Sequence, residues 1–384
     1  MLKIKKELCL FRPEHIKSTS KKFKVIGVIN PAAVRLPDGK IVLYIRVIEK
    51  LINNDDFKYR YSPRMIGKDK FIVKIDRFNK KDIVDGNDLD FVFKKGTKRL
   101  TFISHFRRVM MDKSGLQVLS IDKEPSFFGT RKDGELGVED PRITKIDGKY
   151  VMTYVSLSRK YNISTALATS YDCKKWKREG IIFNDQDKDV VIFPERINGK
   201  YVAFDRPEGN FQFSPPRIWI SYSNDLKSWG NLHPLECLYE EDKFCPRNGA
   251  GPPPIKTKRG WLLIYHAVTS HKMSKQDKKL LKKVEKIIEI QEENIKEITV
   301  YSVGAVLFDL KKPDKIIGKT KNFILVPKKD YDIGTFERKR VIFPTGLVID
   351  ENNRDILLYS GGGDRVTTVR KIGLNDILRH VRKK

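Results

Sequence analysis

Asp147-Gly148-Lys149-Tyr150-Val151-Met152-Thr153-Tyr154 is a tight turn followed at once by a run of β-branched, aromatic and apolar residues. An Asp-Gly pair readily adopts the left-handed backbone that a two-residue hairpin needs, and the run behind it has the composition of a strand. The pattern returns along the chain. It occurs as Asp38-Gly39-Lys40-Ile41-Val42-Leu43-Tyr44, as Asn198-Gly199-Lys200-Tyr201-Val202-Ala203-Phe204, and as Arg259-Gly260-Trp261-Leu262-Leu263-Ile264-Tyr265. A fifth copy, Arg354-Asp355-Ile356-Leu357-Leu358-Tyr359, lacks the glycine. A second pattern overlays the first: Ser170, Asp172 and Trp176 share the spacing of Ser223, Asp225 and Trp229, 53 residues later. Repeats near 50 residues, each holding several short strands, predict an all-β fold, a five-bladed β-propeller. A β-sandwich or a pair of barrels are the competing architectures. The intervals of 109 and 95 residues at the two ends exceed one blade, so extra hairpins or insertions are expected there.

One segment departs from the β pattern. Between 274 and 298 the apolar residues fall at 280, 281, 284, 287, 288, 290, 295 and 298, with Lys278, Lys279, Lys282, Lys283 and Lys286 on other faces. That spacing predicts an amphipathic helix inserted at about 270–299. It packs on its own propeller, or it is an arm for a second copy of the chain, giving a homo-oligomer. The rest of residues 1–384 reads as a single domain.

The 77 basic and 49 acidic residues leave a net charge of +28. A nucleic-acid binder would use such a field, but no RNP-like or helix-turn-helix pattern accompanies it, and the lysines are spread along the chain. The field also draws in phosphate. No apolar run follows the opening Met-Leu-Lys-Ile-Lys-Lys and no window has the ~18 uninterrupted apolar residues of a membrane span. The expectation is a cytoplasmic protein without membrane contact. Cys9, Cys173, Cys237 and Cys245 show no CxxC spacing, so reduced thiols and no metal site are expected.

Polar residues at strand ends carry the chemistry. Counting seven from Gly39 and from Gly199 gives Arg46 and Arg206; six from Gly260 gives His266. Equivalent strands of a propeller converge on its axis, so these residues are expected around one pocket. The hexapeptide Gly137-Val138-Glu139-Asp140-Pro141-Arg142 brings two carboxylates and a guanidinium to a strand edge. Neighbours in an extended strand point to opposite faces. One of Glu139 and Asp140 is therefore expected in the pocket, with Asp140 the candidate acid and Arg142 on its face. An inverting glycosidase needs a second carboxylate about 6.5–9.5 Å away to activate water. Phosphate needs no base, only cations such as Lys188, Arg206 and His266. The motifs of serine hydrolases, zincins and P-loop enzymes are absent.

These residues, with Asn30-Pro31-Ala32-Ala33, Tyr44-Ile45-Arg46, Phe193-Pro194-Glu195, Gly249-Ala250-Gly251-Pro252-Pro253-Pro254, Phe343-Pro344-Thr345-Gly346 and Tyr359 to Asp364, stand in an order that resembles glycoside hydrolase family 130, the β-mannoside phosphorylases and related β-mannosidases. The resemblance runs from about Val28 to Leu378. It implies a five-bladed β-propeller with Asp140 as general acid, acting through a hydroxyl of the mannosyl unit. It implies inorganic phosphate as co-substrate, with no other cofactor and no metal, and inversion to α-mannose 1-phosphate. Lys188, Arg206, His266 and Tyr301 match its phosphate ligands. Asn30, Arg46, Arg142 and Asp364 match positions that hold the sugar, and Glu139 beside the acid joins that set. A hydrolase of the same fold and a non-catalytic carbohydrate-binding propeller are the alternatives. Two departures bear on the site. Asp205 stands where the family often has histidine, either weakening phosphate at Arg206 or facing away from it. The segment at 274–298 looks like an insertion.

Overall fold

The computed structural model describes residues 2–184, 186–209, 213–238, 246–272, 274, 297–334 and 340–383. Antiparallel strands dominate. Three four-stranded sheets follow one another in the chain. The first holds Phe23–Arg35, Ile41–Leu51, Phe102–Met111 and Val118–Ile121. The second holds Gly137–Ile146, Lys149–Ser158, Asn162–Ser170 and Lys177–Phe183. The third holds Lys188–Ile192, Tyr201–Arg206, Trp219–Ser223 and Trp229–Pro234. A larger sheet contains two further runs of the same kind. One uses Asn248–Ala250, Gly260–Lys272, Glu297–Phe308 and Ile316–Thr320; the other uses Arg340–Ile349, Asp355–Gly362, Val366–Gly373 and the N-terminal strand Ile4–Phe11. A short parallel pairing, Val300 with Arg340 and Tyr301 with Val341, joins the two runs.

Apolar clusters fill the seams between neighbouring sheets. Tyr44 and Phe106 of the first sheet pack with Met152 and Tyr154 of the second, and Val151 and Leu167 of the second with Ile192 and Ala203 of the third. Phe204 then meets Trp261, Ile264 meets Leu358, and Leu357 meets Leu43, which brings the last run back to the first sheet. Pairing of Ile4–Phe11 with Val366–Gly373 ties the two ends of the chain together.

The Ser-Asp-Trp repeats have a mechanical role in these seams. Asp172 accepts from the backbone N–H groups of Lys174 and Lys175, and Asp225 from those of Lys227 and Ser228, which closes equivalent turns. Each turn presents its tryptophan to the preceding sheet. Trp176 donates to the Tyr44 hydroxyl at 2.8 Å, and Trp229 packs on Phe183.

The extra length in the first unit is two small sheets, Tyr59–Met65 with Val73–Asn79, and Ile83–Gly86 with Asp90–Phe93 and Lys98–Leu100. The predicted helix falls mainly on 275–296, outside the described residues. Its flanks are strand, with Lys272 paired to Glu297 and Ser270 to Thr299, so residues 270–272 and 297–299 are corrected from helical insertion to the ends of a long hairpin. Ile298 and Val300, on this hairpin, are buried. Among the described residues no helix is long and apolar enough to cross a membrane. Cys9 and Cys173 are free thiols, but Cys237 is disulfide-bonded, which corrects the expectation of four reduced thiols. Bridging depends on the approach of two Cα atoms in space, which sequence spacing does not reveal.

Candidate active site

A pocket of about 430 Å³ opens at the edge where the leading strands of the sheets meet. Backbone geometry aims its residues. The pairing of the first sheet is interrupted between Ile29 and Ala32, that of the second between Glu139 and Arg142, and that of the third between Lys188 and Val191. Each interruption contains one non-glycine residue with positive φ: Asn30 at 47°, Asp140 at 49° and Asp189 at 54°. Asp364, in the turn after Asp355–Gly362, has φ 51°. Asn and Asp tolerate this left-handed conformation better than other side chains. All four line the pocket.

These bulges correct one expectation. Strand alternation should send Glu139 and Asp140 to opposite faces, yet both reach Arg46. The left-handed residue at Asp140 breaks the alternation and returns its side chain to the pocket. Asp140 Oδ1 accepts from Asn30 Nδ2 at 2.7 Å and from Arg46 at 3.1 Å, while Glu139 Oε1 takes the second Arg46 nitrogen. Burial pulls the Arg46 pKa down, but Glu139, Asp140 and Asp364 outweigh it and leave it raised. Asn30 is packed against Gly361, where a Cβ would collide with its Oδ1, so the glycine-rich stretch serves close packing here.

The same pocket is lined by Lys188, Asp189, Arg206, Arg247 and Tyr301. Asp189 is 3 % exposed and sits 2.6 Å from Arg206, 3.1 Å from Arg142 and 3.5 Å from His266. Burial pushes its carboxyl up, but Arg206, His266, Arg142 and Lys188 together hold it well below the usual range. Gly249 makes room for this cluster, because a Cβ there would meet Asp189, His266 and Arg206. Lys188 lines the pocket with no hydrogen bond or ion pair to another side chain among the described residues.

Two predicted site residues stand behind the pocket wall. Arg142, 2 % exposed, reaches Asp189 and donates to the carbonyls of Gly251 and Asp140. It touches the backbone of Asp140 rather than sharing its face, because the bulge has shifted the register. His266 is fully buried against Phe343 and Tyr301. Arg206 NH1 lies 3.3 Å from its Nε2, and Asp189 3.5 Å from the same nitrogen. Burial lowers the His266 pKa to about 3, so the ring is neutral. Asp205 faces away from the pocket: the strand Tyr201–Arg206 is regular, and Asp205 accepts from Ser221 at 2.8 Å on the side opposite Arg206. Its neighbour is Asp187. Burial, then the charge of Asp205, raises Asp187 to about 9, and burial raises Asp205 to about 6, so the pair retains a proton near neutrality.

Sequence reasoning missed several lining residues. Asp189 reads as an ordinary strand residue beside Lys188. Arg247 flanks a strand and fits no repeat; the same is true of Glu208, which is not itself a lining residue but pairs with Arg206 and Arg247. Ile26, Ile48, Leu89 and Phe102 form an apolar wall, with Leu89 supplied by the small sheets of the first unit. A larger hollow, of about 670 Å³ at Glu236, Arg259 and Asp314, shares no residue with this pocket.

Carboxylates, cations and apolar side chains thus line one pocket, an arrangement suited to binding a sugar together with an anion. Residues 111–383 match a family model described as beta-1,4-mannooligosaccharide phosphorylase, and the chain belongs to glycoside hydrolase family 130. It is 34 % identical over 269 residues to a 1,2-beta-oligomannan phosphorylase of Thermoanaerobacter sp., covering 70 % of this chain and 78 % of that one. It is 29 % identical over 381 residues to a beta-1,2-mannobiose phosphorylase of Listeria innocua, covering 97 % and 96 %. The structure of the Listeria enzyme with beta-1,2-mannobiose superposes with a TM-score of 0.78, again over 97 % and 96 % of the two chains.

Proposed function

We propose that this protein is an inverting β-mannoside phosphorylase built as a five-bladed β-propeller, each of the five strand runs being one blade. The observation that carries the reading is the cation cluster that lines the same pocket as Asp140. Lys188 offers an ammonium that no side chain among the described residues occupies, beside Arg206 and Arg247. An anionic nucleophile fits that half of the pocket. Water activation fits it less well, because Glu139 and Asp189, two carboxylates that could serve as base, are each held by guanidinium groups.

The mannosyl unit lies between the two halves, against Asn30, Arg46, Glu139 and Asp364. Asp140 supplies a proton, relayed by a mannosyl hydroxyl, to the glycosidic oxygen. A phosphate oxygen attacks the anomeric carbon from the opposite face as the glycosidic bond breaks, and α-mannose 1-phosphate leaves with the shortened sugar. Lys188, Arg206 and Tyr301 hold the phosphate, and His266 acts by orienting Arg206. The names of the Thermoanaerobacter and Listeria relatives favour a β-1,2-linked mannoside as substrate. The enzyme is cytoplasmic in this reading.

The test is to incubate the protein with β-1,2-mannobiose with and without inorganic phosphate and to separate mannose from mannose 1-phosphate. Phosphate-dependent release of mannose 1-phosphate is expected. Equal rates of mannose release in both conditions would overturn phosphorolysis in favour of hydrolysis.

A further inference from the structure

Glu208 lies just past the strand Tyr201–Arg206, and Arg247 just before the strand Asn248–Ala250. Their side chains meet at the pocket. Glu208 Oε1 is 2.9 Å from Arg247 NH1. Its Oε2 accepts from Arg247 NH2 at 3.2 Å and from Arg206 NH2 at 3.1 Å. One carboxylate oxygen is thus shared between two guanidinium groups. Arg206 cannot turn away from this arrangement, because its NH1 is held by Asp189 and His266. The Arg247 backbone is equally fixed: its carbonyl accepts from Val268 at 2.8 Å, and the neighbouring Asn248 side chain anchors Ile218 and Pro246.

The Nε groups of both arginines are buried and make no hydrogen bond with any described residue. Buried N–H groups without an acceptor are costly, so two such donors beside one pocket favour a ligand rich in acceptor oxygens. Charge points the same way. Lys188, Arg206 and Arg247 carry three positive charges against the two carboxylates Asp189 and Glu208. Guanidinium groups match the geometry of phosphate oxygens through paired N–H donors.

We propose that Arg247 is a third cation of the phosphate subsite and that Glu208 is the positioning residue that holds it against Arg206. The proposal rests on the phosphorolytic reading and adds a ligand to it. Glu208 fixes the separation of the two guanidinium groups before phosphate arrives, so little side-chain freedom is lost when it binds.

Calorimetric titration with inorganic phosphate, together with steady-state kinetics, tests this. Arg247→Gln should raise the phosphate Kd and the phosphate KM at least tenfold and change the mannoside KM less than twofold. Arg247→Lys, which keeps the charge and loses the fork, should fall between it and the unmodified protein. Glu208→Gln should weaken phosphate at least threefold when Arg247 is present and have no further effect in the Arg247→Gln background, because a positioning residue acts only through its partner. Unchanged phosphate affinity in Arg247→Gln, or a loss confined to the mannoside KM, would overturn the assignment. Additive effects of the two substitutions would overturn the role given to Glu208. Absence of phosphate dependence in the unmodified protein would instead defeat the phosphorolytic reading, and this assignment with it.

Discussion

Replacing Asp189 by Asn is the most discriminating perturbation of the pocket's architecture. The amide keeps the shape of the carboxylate and removes its charge. Asp189 is buried and touches two guanidinium groups, Arg206 at 2.6 Å and Arg142 at 3.1 Å. Removing one partner of a buried ion pair costs about 3–5 kcal/mol, because the remaining charge is left uncompensated. Here the loss is cushioned. Arg142 keeps the Gly251 and Asp140 carbonyls as acceptors, and Arg206 keeps Glu208. The expected loss is therefore at the lower end, about 3 kcal/mol. Urea unfolding at pH 7 reads it as a lower midpoint with an unchanged slope. The pH dependence has a definite sign. The Asp189 pKa is depressed in the folded protein, so its stabilisation is present above the ordinary aspartate range and is lost as pH falls below it. The gap between the two proteins should be constant from pH 5 to pH 8, taking the unfolded Asp at about 3.9, and should shrink below about pH 4. A variant whose midpoint equals or exceeds that of the unmodified protein would refute the claim that this carboxylate holds the cation cluster together.

Two other substitutions separate chemistry from folding. Asp140→Asn should lower kcat by about 10²–10⁴-fold, the usual contribution of a positioned acid, at near-normal stability. Asp140→Ala should lose the same activity and about 1 kcal/mol or more of stability besides, because alanine resists the left-handed backbone that Asp140 adopts; equal melting temperatures for the two variants would contradict that. Asp205→Asn tests the buried acid pair. Its pKa values are raised in the folded state, so the folded protein keeps a proton that the unfolded chain releases, and stability falls as pH rises from about 4 towards 9. The amide removes the repulsion, so thermal melts should show the variant gaining on the unmodified protein at pH 8.5 and losing that advantage at pH 5, with each pKa unit of relief at Asp187 worth about 1.4 kcal/mol at the higher pH.

Much of the all-β architecture was legible because hairpins are written locally. Asp147-Gly148, Asn198-Gly199 and the Ser-Asp-Trp turns each dictate their geometry within a few residues, and the structure places hairpins or sheet turns at all of them. The offset from those turns also brought Arg46 and Arg206 to one pocket and His266 to its wall, since equal offsets along strands that start from equivalent turns reach equivalent depths, whatever the length of each strand. What the sequence hid was the backbone exception. A residue in left-handed conformation inside a strand leaves no periodic trace, so the two-residue alternation misplaced Glu139 and Arg142 and gave no reason to single out Asp189. Arg247 and Glu208 were hidden for a different reason: their meeting depends on two loops from different sheets.

The bulges divide the pocket into positions that differ in how freely they can be altered by protein engineers. At Asn30, Asp140, Asp189 and Asp364 the left-handed main chain favours Asn, Asp and Gly, so saturation libraries there would consist mostly of destabilised clones. Arg46 and Arg206 sit in regular strand, and Leu89 and Phe102 on a peripheral wall, where the main chain tolerates a wide alphabet. A search for new sugar acceptors should therefore randomise the wall first, leave the four left-handed positions untouched, and treat the reaction centre as a fixed casting into which different substrates are fitted.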